Sequence, residues 1–211
     1  MARYTGPKCR YCRAEKTKLF LKGERCHTGK CPMNDTKSTG LPGKDPRARS
    51  KKPTDYGLQL REKQKLKRTY CMLEKQFKLA FDEAARIPGK TGENLIMLLE
   101  RRLDNVVFRL GLALSRSAAR QLVRHRHFSV NGRTVDIPSF QVRVGDEIAV
   151  RDKSKELLVI KSSLESRKGQ GVPDWMEMNS DRLVGRILHI PTRASIGVPI
   201  NEQLIVELYS K

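Results

Sequence analysis

A chain of 211 residues is long enough for one large domain or two modest domains with a buried core. Its formal net charge of +20 at pH 7, from 43 basic and 23 acidic residues, indicates a polyanionic partner and says little about the fold. Because no run of 18 apolar residues occurs and the start lacks the apolar stretch of a signal peptide, we expect an intracellular protein without a membrane partner.

Four of the five cysteines lie near the start of the sequence, in two close pairs. Two residues separate the first pair, thirteen lie between the pairs, and four separate the second pair. This spacing is typical of a tetrahedral thiolate site, for which zinc is the default ion, although a 4Fe-4S cluster is compatible with it. Disulfides are less favoured because nothing indicates export. The predicted metal ligands are Cys9, Cys12, Cys26 and Cys31.

A site with four thiolates is expected to be structural, because it leaves no open position for substrate or water. Metal binding would then fold a segment that has little core of its own. Basic neighbours are expected to lower the thiol pKa values and so to favour the thiolate. These neighbours are Lys8, Arg10, Arg13, Lys22, Arg25 and Lys30.

The stretch from residue 37 to 54 mixes glycine and proline with basic residues. Such a segment cannot form a packed core by itself, so it is either a flexible linker or an arm that a partner orders. In a basic protein the arm is the favoured interpretation. Its charged residues are Lys44, Arg47, Arg49, Lys51 and Lys52.

The residues that follow are predicted to be mainly helical. Apolar residues recur three and four positions apart from 58 to 86, and Ile87-Pro88-Gly89 ends the pattern. Cys71, within this stretch, is expected to be a small buried residue. The other predicted elements outside residues 103–150 are a helix over 92–102, a helix over 155–165, a strand over 182–190 and a helix that Asn201 caps and that runs to 208.

Residues 94–150 contain nine arginines and no lysine. A guanidinium group is planar and always charged, and its donors match two phosphate oxygens at once, so this bias favours a surface that binds folded nucleic acid. Ser115 is predicted to cap a helix through 124, on which Arg116, Arg120 and Arg124 share one face. The alternative is an ordinary solvated helix face.

A β-hairpin is predicted directly after that helix. Asn131-Gly132 separates two short runs with apolar alternation, 128–130 and 133–135, and both turn residues tolerate a positive φ. Gly145-Asp146 turns the chain again before a strand over 148–150. Residues 103–150 are therefore expected to form two short helices against a small sheet, with arginines on one side.

Four stretches between residues 102 and 146 resemble the RNA-binding module that is named after a small-subunit ribosomal protein. They are residues 102–111, 115–123, 130–133 and 144–146. The cysteine-bearing start, the run over 98–104 and the ending over 199–211 extend the resemblance to nearly the whole chain. The chain is thus similar to the bacterial family of the fourth small-subunit ribosomal protein, in its zinc-site form. Ala118 departs from the pattern, because relatives often carry an acidic residue there.

The resemblance implies an α+β fold with a mostly helical domain, a metal-bound N-terminal extension and a small two-helix-and-sheet RNA-binding module. The extension would cover residues 1–45 and the helical domain 46–91. The arginine-rich module would cover 92–175. The C-terminal strand and helix, 176–211, would pack back onto 46–91.

The resemblance also implies a function without catalysis. The chain would be a structural constituent of the small subunit of the cytoplasmic ribosome. It would be a primary binder of the 5′ domain of 16S ribosomal RNA at a multi-helix junction, and would nucleate assembly there. It would contact the fifth small-subunit protein, contribute to translational accuracy, lie near messenger RNA and, in some bacteria, repress its own translation. The expected RNA contacts are Arg3, Lys44, Arg47, Arg49, Lys51, Lys52, Lys63, Lys67, Arg68, Arg101, Arg116, Arg120, Arg124, Arg126, His127, Asn131 and Arg133.

Two other classes of protein were considered. RNA-modifying enzymes and tyrosyl-tRNA synthetases carry the same module, but they need a catalytic domain, and no P-loop, Gly-x-Gly-x-x-Gly or Gly-x-Ser-x-Gly motif occurs here. A zinc-finger regulator of DNA would place a recognition helix after the metal site, where this chain has a basic segment rich in proline and glycine.

Overall fold

The computed structural model describes residues 4–34, 52–167, 171–197 and 199–210. Within these residues the chain forms eight α-helices and five β-strands, which confirms the predicted α+β class. It divides into two compact units. Unit 1 comprises Met1–Gly92 with Val198–Lys211, and unit 2 comprises Glu93–Gly197. No helix among the described residues is both long and apolar enough to cross a lipid bilayer.

The helices of unit 1 are α1 (Cys9–Glu15), α2 (Asp55–Thr69), α3 (Glu74–Arg86) and α8 (Glu202–Tyr209). A 3-10 turn, Gly23–Cys26, follows α1. The side chain of Thr54 caps α2 by accepting from the N–H of Gly57 at 3.2 Å. Asn201 caps α8 in the same way, by accepting from the N–H of Gln203 at 3.1 Å, which confirms the predicted cap.

The single helix predicted over 58–86 is two helices, because the chain turns after Thr69. Cys71 has a φ of +55°, and the N–H of Met72 donates to the carbonyl of Lys67 at 3.0 Å. A left-handed residue with this closing hydrogen bond is a common way to end a helix. Apolar residues on both sides of the turn, such as Leu66 and Phe77, are fully buried. The apolar spacing in the sequence therefore continues through the turn, and periodicity alone could not reveal the break.

The C-terminal helix completes the core of unit 1. The ring of Tyr209 stacks on Phe81 and Phe77, with centroids 4.4 and 6.4 Å apart. Nε2 of Gln59 on α2 donates to Oε2 of Glu207 on α8 at 3.0 Å. The last helix therefore packs on the helices before Thr91.

The rest of the region after residue 175 differs from the expected arrangement. Strands β4 (Met176–Asn179) and β5 (Val184–Ile187) belong to unit 2, where β5 pairs with β3 (Glu147–Val150). Hydrogen bonds to β3 satisfy backbone N–H and C=O groups of the strand pair. The apolar face of α8, in contrast, is buried by packing on the helices of unit 1. A boundary drawn at 176 thus separates two strands from the sheet to which they belong.

Unit 2 contains a five-stranded antiparallel sheet in the order β2-β1-β3-β5-β4. Strands β1 (Phe128–Val130) and β2 (Arg133–Thr134) form the predicted hairpin. Asn131 and Gly132 have φ values of +49° and +77°, the left-handed conformation that such a turn requires. The hairpin prediction is confirmed.

Four helices belong mainly to unit 2: α4 (Thr91–Glu100), α5 (Leu103–Arg109), α6 (Arg116–Arg124) and α7 (Leu158–Ser166). Ser115 caps α6 by accepting from the N–H of Ala118 at 3.3 Å, as predicted. The core includes fully buried Leu103, Phe128 and Ile148. Trp175 is 1% exposed within this same core.

Replacing Gly185 by alanine is expected to destabilise unit 2. A Cβ atom at this position on β5 would lie 2.5 Å from Cδ1 of the buried Leu110, and such overpacking costs about 1–3 kcal/mol. The measurement is urea unfolding followed by the fluorescence of Trp175, which lies in the core of unit 2. Gly197→Ala is the matched control, because no atom lies within 4 Å of its added carbon. Equal unfolding midpoints for the two variants would contradict this close packing.

Candidate nucleic-acid interface and metal centre

The arginine face predicted on α6 is partly buried. Arg120 is only 4% exposed, and its Nη1 donates to Oδ2 of Asp104 at 3.0 Å. Arg102 donates to both oxygens of the same carboxylate, at 3.1 and 2.9 Å. Such partners are needed because a buried carboxylate loses its hydration. Arg120 therefore stabilises unit 2 and offers almost no surface to RNA, which corrects its expected role.

Arg116, one turn earlier, is partly exposed. Its Nε donates to Oδ1 of Asn105 at 2.8 Å, and its guanidinium carbon lies 4.6 Å from the centre of the Phe108 ring. Asn105 in turn donates to Oε2 of the buried Glu100 at 2.7 Å. Arg109 binds both oxygens of Glu100, at 3.0 and 2.7 Å. This network holds Arg116 in one orientation at the edge of the candidate interface.

Arg124, Arg126 and Arg133 are exposed and lie at the end of α6 and in the hairpin. We call these three residues the hairpin basic surface. Arg126 has a φ of +63° and donates to Oδ2 of Asp136 at 3.0 Å, with its side chain 67% exposed. An exposed ion pair of this kind contributes little stability. Arg126 can therefore exchange this carboxylate for a phosphate at small cost.

Two other predicted contacts form hydrogen bonds within unit 2. Nδ2 of Asn131 donates to Oδ1 of Asp146 at 2.8 Å, and Oδ1 of Asn131 accepts from the N–H of Glu147 at 2.9 Å. The Asn131 amide therefore joins the hairpin turn to the turn before β3. Nε of Arg101 donates to the carbonyl of Val142 at 2.9 Å. Asn131 thus fixes the turn before Arg133, and Arg101 connects the end of α4 to residue 142.

His127 is also oriented by its neighbours. Its Nδ1 lies 2.9 Å from Oγ of the buried Ser154. Burial, together with the charges of His125 and Arg151, lowers the pKa of His127. The imidazole is therefore neutral at neutral pH, so it can serve as a hydrogen-bond partner for RNA but does not add to the positive charge.

Lys63 and Lys67, which were expected to contact RNA, bind the carboxylate of Glu74 instead. Their Nζ atoms lie 2.5 and 2.7 Å from its two oxygens, and the hydroxyl of Tyr209 donates to it at 3.2 Å. Burial would raise the pKa of Glu74, but the hydrogen bonds from the two lysines outweigh it and lower the pKa to about 2. These lysines therefore connect α2, α3 and α8 within unit 1.

Arg68 has a comparable role, because it binds a buried carboxylate near the start of the chain. It forms an ion pair with Glu15, whose side chain is 4% exposed, and its guanidinium carbon lies 4.4 Å from the centre of the Tyr11 ring. Arg61 lies 3.8 Å from the same carboxylate. Sequence reasoning missed Glu15, although an acidic residue within a strongly basic segment is itself a signal for a buried ion pair.

The remaining expected contacts belong to the basic arm and the chain start. Lys52 is exposed just before α2. Outside the described residues lie Arg3, Lys44, Arg47, Arg49 and Lys51. The expectation for these five residues stays a prediction.

The four clustered cysteines line one small cavity in unit 1. Cys12, Cys26 and Cys31 are buried, Cys9 is half-buried, and none of the four forms a disulfide. The backbone N–H of Lys22 lies 3.4 Å from Sγ of Cys26 and donates to it. The turns after α1 therefore bring both cysteine pairs to one cavity.

The electrostatics of this cavity differ from our expectation. Burial, with a further contribution from the other three thiols, raises the pKa of Cys12, although the neighbouring basic residues were expected to lower it. Among the residues that the structure describes, no group of three or more His, Cys, Asp or Glu side chains is arranged as a metal site.

Arg120→Met is expected to destabilise unit 2 by about 1.5–3 kcal/mol, because it removes one of the two guanidinium partners of the buried Asp104 carboxylate and leaves only Arg102. Urea unfolding monitored by the fluorescence of Trp175 measures this loss. Arg124→Met is the matched control on the same helix. Its side chain is exposed, so its unfolding free energy should stay within about 0.5 kcal/mol of the parent chain. Similar stabilities for both variants would contradict a structural role for Arg120.

Two family models match the chain. The model described as ribosomal protein S4/S9 N-terminal domain matches residues 3–100, and the S4 domain model matches residues 101–148. The chain is similar over its full length to proteins described as small ribosomal subunit protein uS4. It is 57% identical to that of Thermoanaerobacter sp. (strain X514), 56% to that of Desulforamulus reducens and 54% to that of Geotalea daltonii. Each alignment covers 100% of both chains.

Proposed function

The chain belongs to the uS4 family of small ribosomal subunit proteins, and from this membership we infer that it is a structural, non-enzymatic constituent of the small subunit. It binds ribosomal RNA in the cytoplasmic ribosome. The hairpin basic surface, Arg124, Arg126 and Arg133, is the observation in unit 2 that supports an RNA-binding role most directly.

The physics of double-stranded RNA explains why such a surface is suitable. The major groove of an A-form helix is deep and narrow, so proteins recognise its shape, phosphates and 2′-hydroxyl groups. That recognition requires cations on a rigid frame. Here α6, the hairpin and the hydrogen bonds of Asn131 supply the frame, and the exposed arginines supply the charge.

We propose more specifically that the chain is a primary binder of the 5′ domain of 16S ribosomal RNA, at a junction of several helices, and that binding there nucleates subunit assembly. The net charge of +20 and a module that reads RNA shape support this proposal. Contacts with the fifth small-subunit protein and with messenger RNA, an effect on translational accuracy, and repression of its own translation belong to the same proposal. They rest on the family resemblance.

The test is equilibrium binding to 5′-domain RNA and to a scrambled RNA of the same length, over a series of salt concentrations. An Arg124, Arg126, Arg133 triple-alanine variant should lose most of the preference for the native RNA. Each lost phosphate contact should flatten the salt dependence of log K by roughly 0.7–0.9 units.

The matched control is a Lys153, Lys155, Lys161 triple-alanine variant, which removes the same charge from the region of α7. Two of these lysines already pair with Asp152 and Glu156. This control should keep the preference for the native RNA. Equal binding of both RNAs by the parent chain, with a steep salt slope, would identify a generic polycation and would contradict the proposal.

We also propose that Cys9, Cys12, Cys26 and Cys31 hold a structural zinc ion. The support is that four free thiols line one cavity and that the Lys22 N–H already donates to a sulfur. Zinc prefers four thiolates in structural sites, and its binding free energy would stabilise a segment whose own core is small. A 4Fe-4S cluster is the alternative with the same ligands.

Elemental analysis of the purified chain should find about one zinc ion per chain, and visible absorption would instead identify an iron–sulfur cluster. Cys26→Ser should lose the metal. Cys71→Ser, which changes the cysteine outside the cavity lining, should retain it. Removal of the metal by a chelator should unfold the N-terminal segment and leave the Trp175 fluorescence unchanged. A metal-free chain with an unchanged amide NMR spectrum over residues 4–34 would contradict a structural ion.

A further inference from the structure

Arg167 lies immediately after α7 and is held against the end of α5. Its Nη1 donates to the carbonyl of Phe108 at 2.6 Å, and its guanidinium carbon lies 4.2 Å from the centre of the Phe108 ring. Gly111 has a φ of +83°, and a Cβ atom there would lie 3.5 Å from Cδ of Arg167. The aliphatic part of Arg167 therefore packs beside this glycine, and its charged end is fixed in position.

The same aromatic ring carries a second guanidinium. Arg116 lies 4.6 Å from the ring centre, and the next residue in the chain after Phe108 is Arg109, which binds Glu100. Together, these three arginines and Glu100 carry a net charge of two positive. Both stacked arginines are only partly exposed, so water screens their repulsion incompletely.

The charge on Arg167 is poorly balanced. Within the parts of the chain that the structure describes, no carboxylate forms an ion pair with it. Burial, followed by the charges of Arg116 and Arg109, lowers the pKa of Arg167 to about 10. Burial and like charges disfavour a cation, whereas a bound anion nearby would favour it.

We propose that Arg116 and Arg167, stacked on Phe108, form a binding site for a phosphate group of the RNA backbone. Both guanidinium groups are held against one aromatic ring, and the planar fork of a guanidinium matches two oxygens of a phosphate. The site rests on the RNA-binding function proposed above. It adds Arg167, which follows α7 and lies outside the matched S4 domain range of 101–148, to the RNA interface.

The first test compares full-length variants in RNA binding over a salt series. Arg167→Met keeps an unbranched side chain beside Gly111 but removes the charge and the fork. Its affinity for 5′-domain RNA should fall about tenfold near physiological salt, with the salt slope of log K lower by roughly 0.7–0.9 units, as for one lost phosphate contact. Arg167→Lys should recover part of the affinity, since it keeps the charge without the planar fork.

Arg182→Met is the matched control, because this exposed arginine in the β4–β5 turn carries the same charge within the same unit. Its affinity should change by less than that of Arg167→Met. Equal losses for the two variants would mean that only the overall charge matters, and would overturn the site. Parent-like affinity and slope for Arg167→Met would also overturn it.

A second measurement uses the unaltered chain and is therefore independent of any effect of substitution on folding. Phenylglyoxal modification of Arg167, mapped by mass spectrometry, should slow when inorganic phosphate or RNA is added. Slowing by an acidic peptide but not by RNA would assign the cluster to a protein partner and would overturn the proposal. Slowing by phosphate and by scrambled and native RNA alike would support the phosphate site and would count against the junction specificity proposed above.

Discussion

The buried carboxylates of Glu100 and Asp104 are the constraint on which the arginine-rich unit depends. Each accepts hydrogen bonds from guanidinium groups, and each would be strongly destabilising without them. The arginines near them therefore divide into two groups. Arg102 and Arg120 neutralise the interior, whereas Arg116 is only partly used there and reaches the surface.

In unit 1, basic side chains likewise form ion pairs with carboxylates. Glu74 binds two lysines of α2, and Glu15 binds Arg68, so three of the cations expected at an RNA surface hold helices together. The total of 43 basic residues therefore overstates the number of cations that the fold presents to RNA. Specific recognition depends on which cations remain exposed and on how rigidly the structure holds them.

Rigid placement explains why a small surface can serve an RNA partner. The hairpin basic surface lies on a capped helix and a two-residue turn, and hydrogen bonds from Asn131 fix that turn. Arg167 is held by a carbonyl, an aromatic ring and a glycine. For Arg167, little side-chain entropy therefore remains to be lost on binding, so its contact contributes more of its interaction energy.

Local patterns in the sequence were sufficient for the caps at Ser115 and Asn201 and for the hairpin at Asn131-Gly132. Each depends on neighbouring residues and on backbone preferences that act over short range. The turn at Cys71, the pairing of β5 with β3, the burial of Arg120 and the position of Arg167 beside Phe108 were decided by tertiary structure. The reason is physical: whether a charged side chain faces water or a buried carboxylate depends on segments that are far apart in the chain, and only the packed fold brings them together.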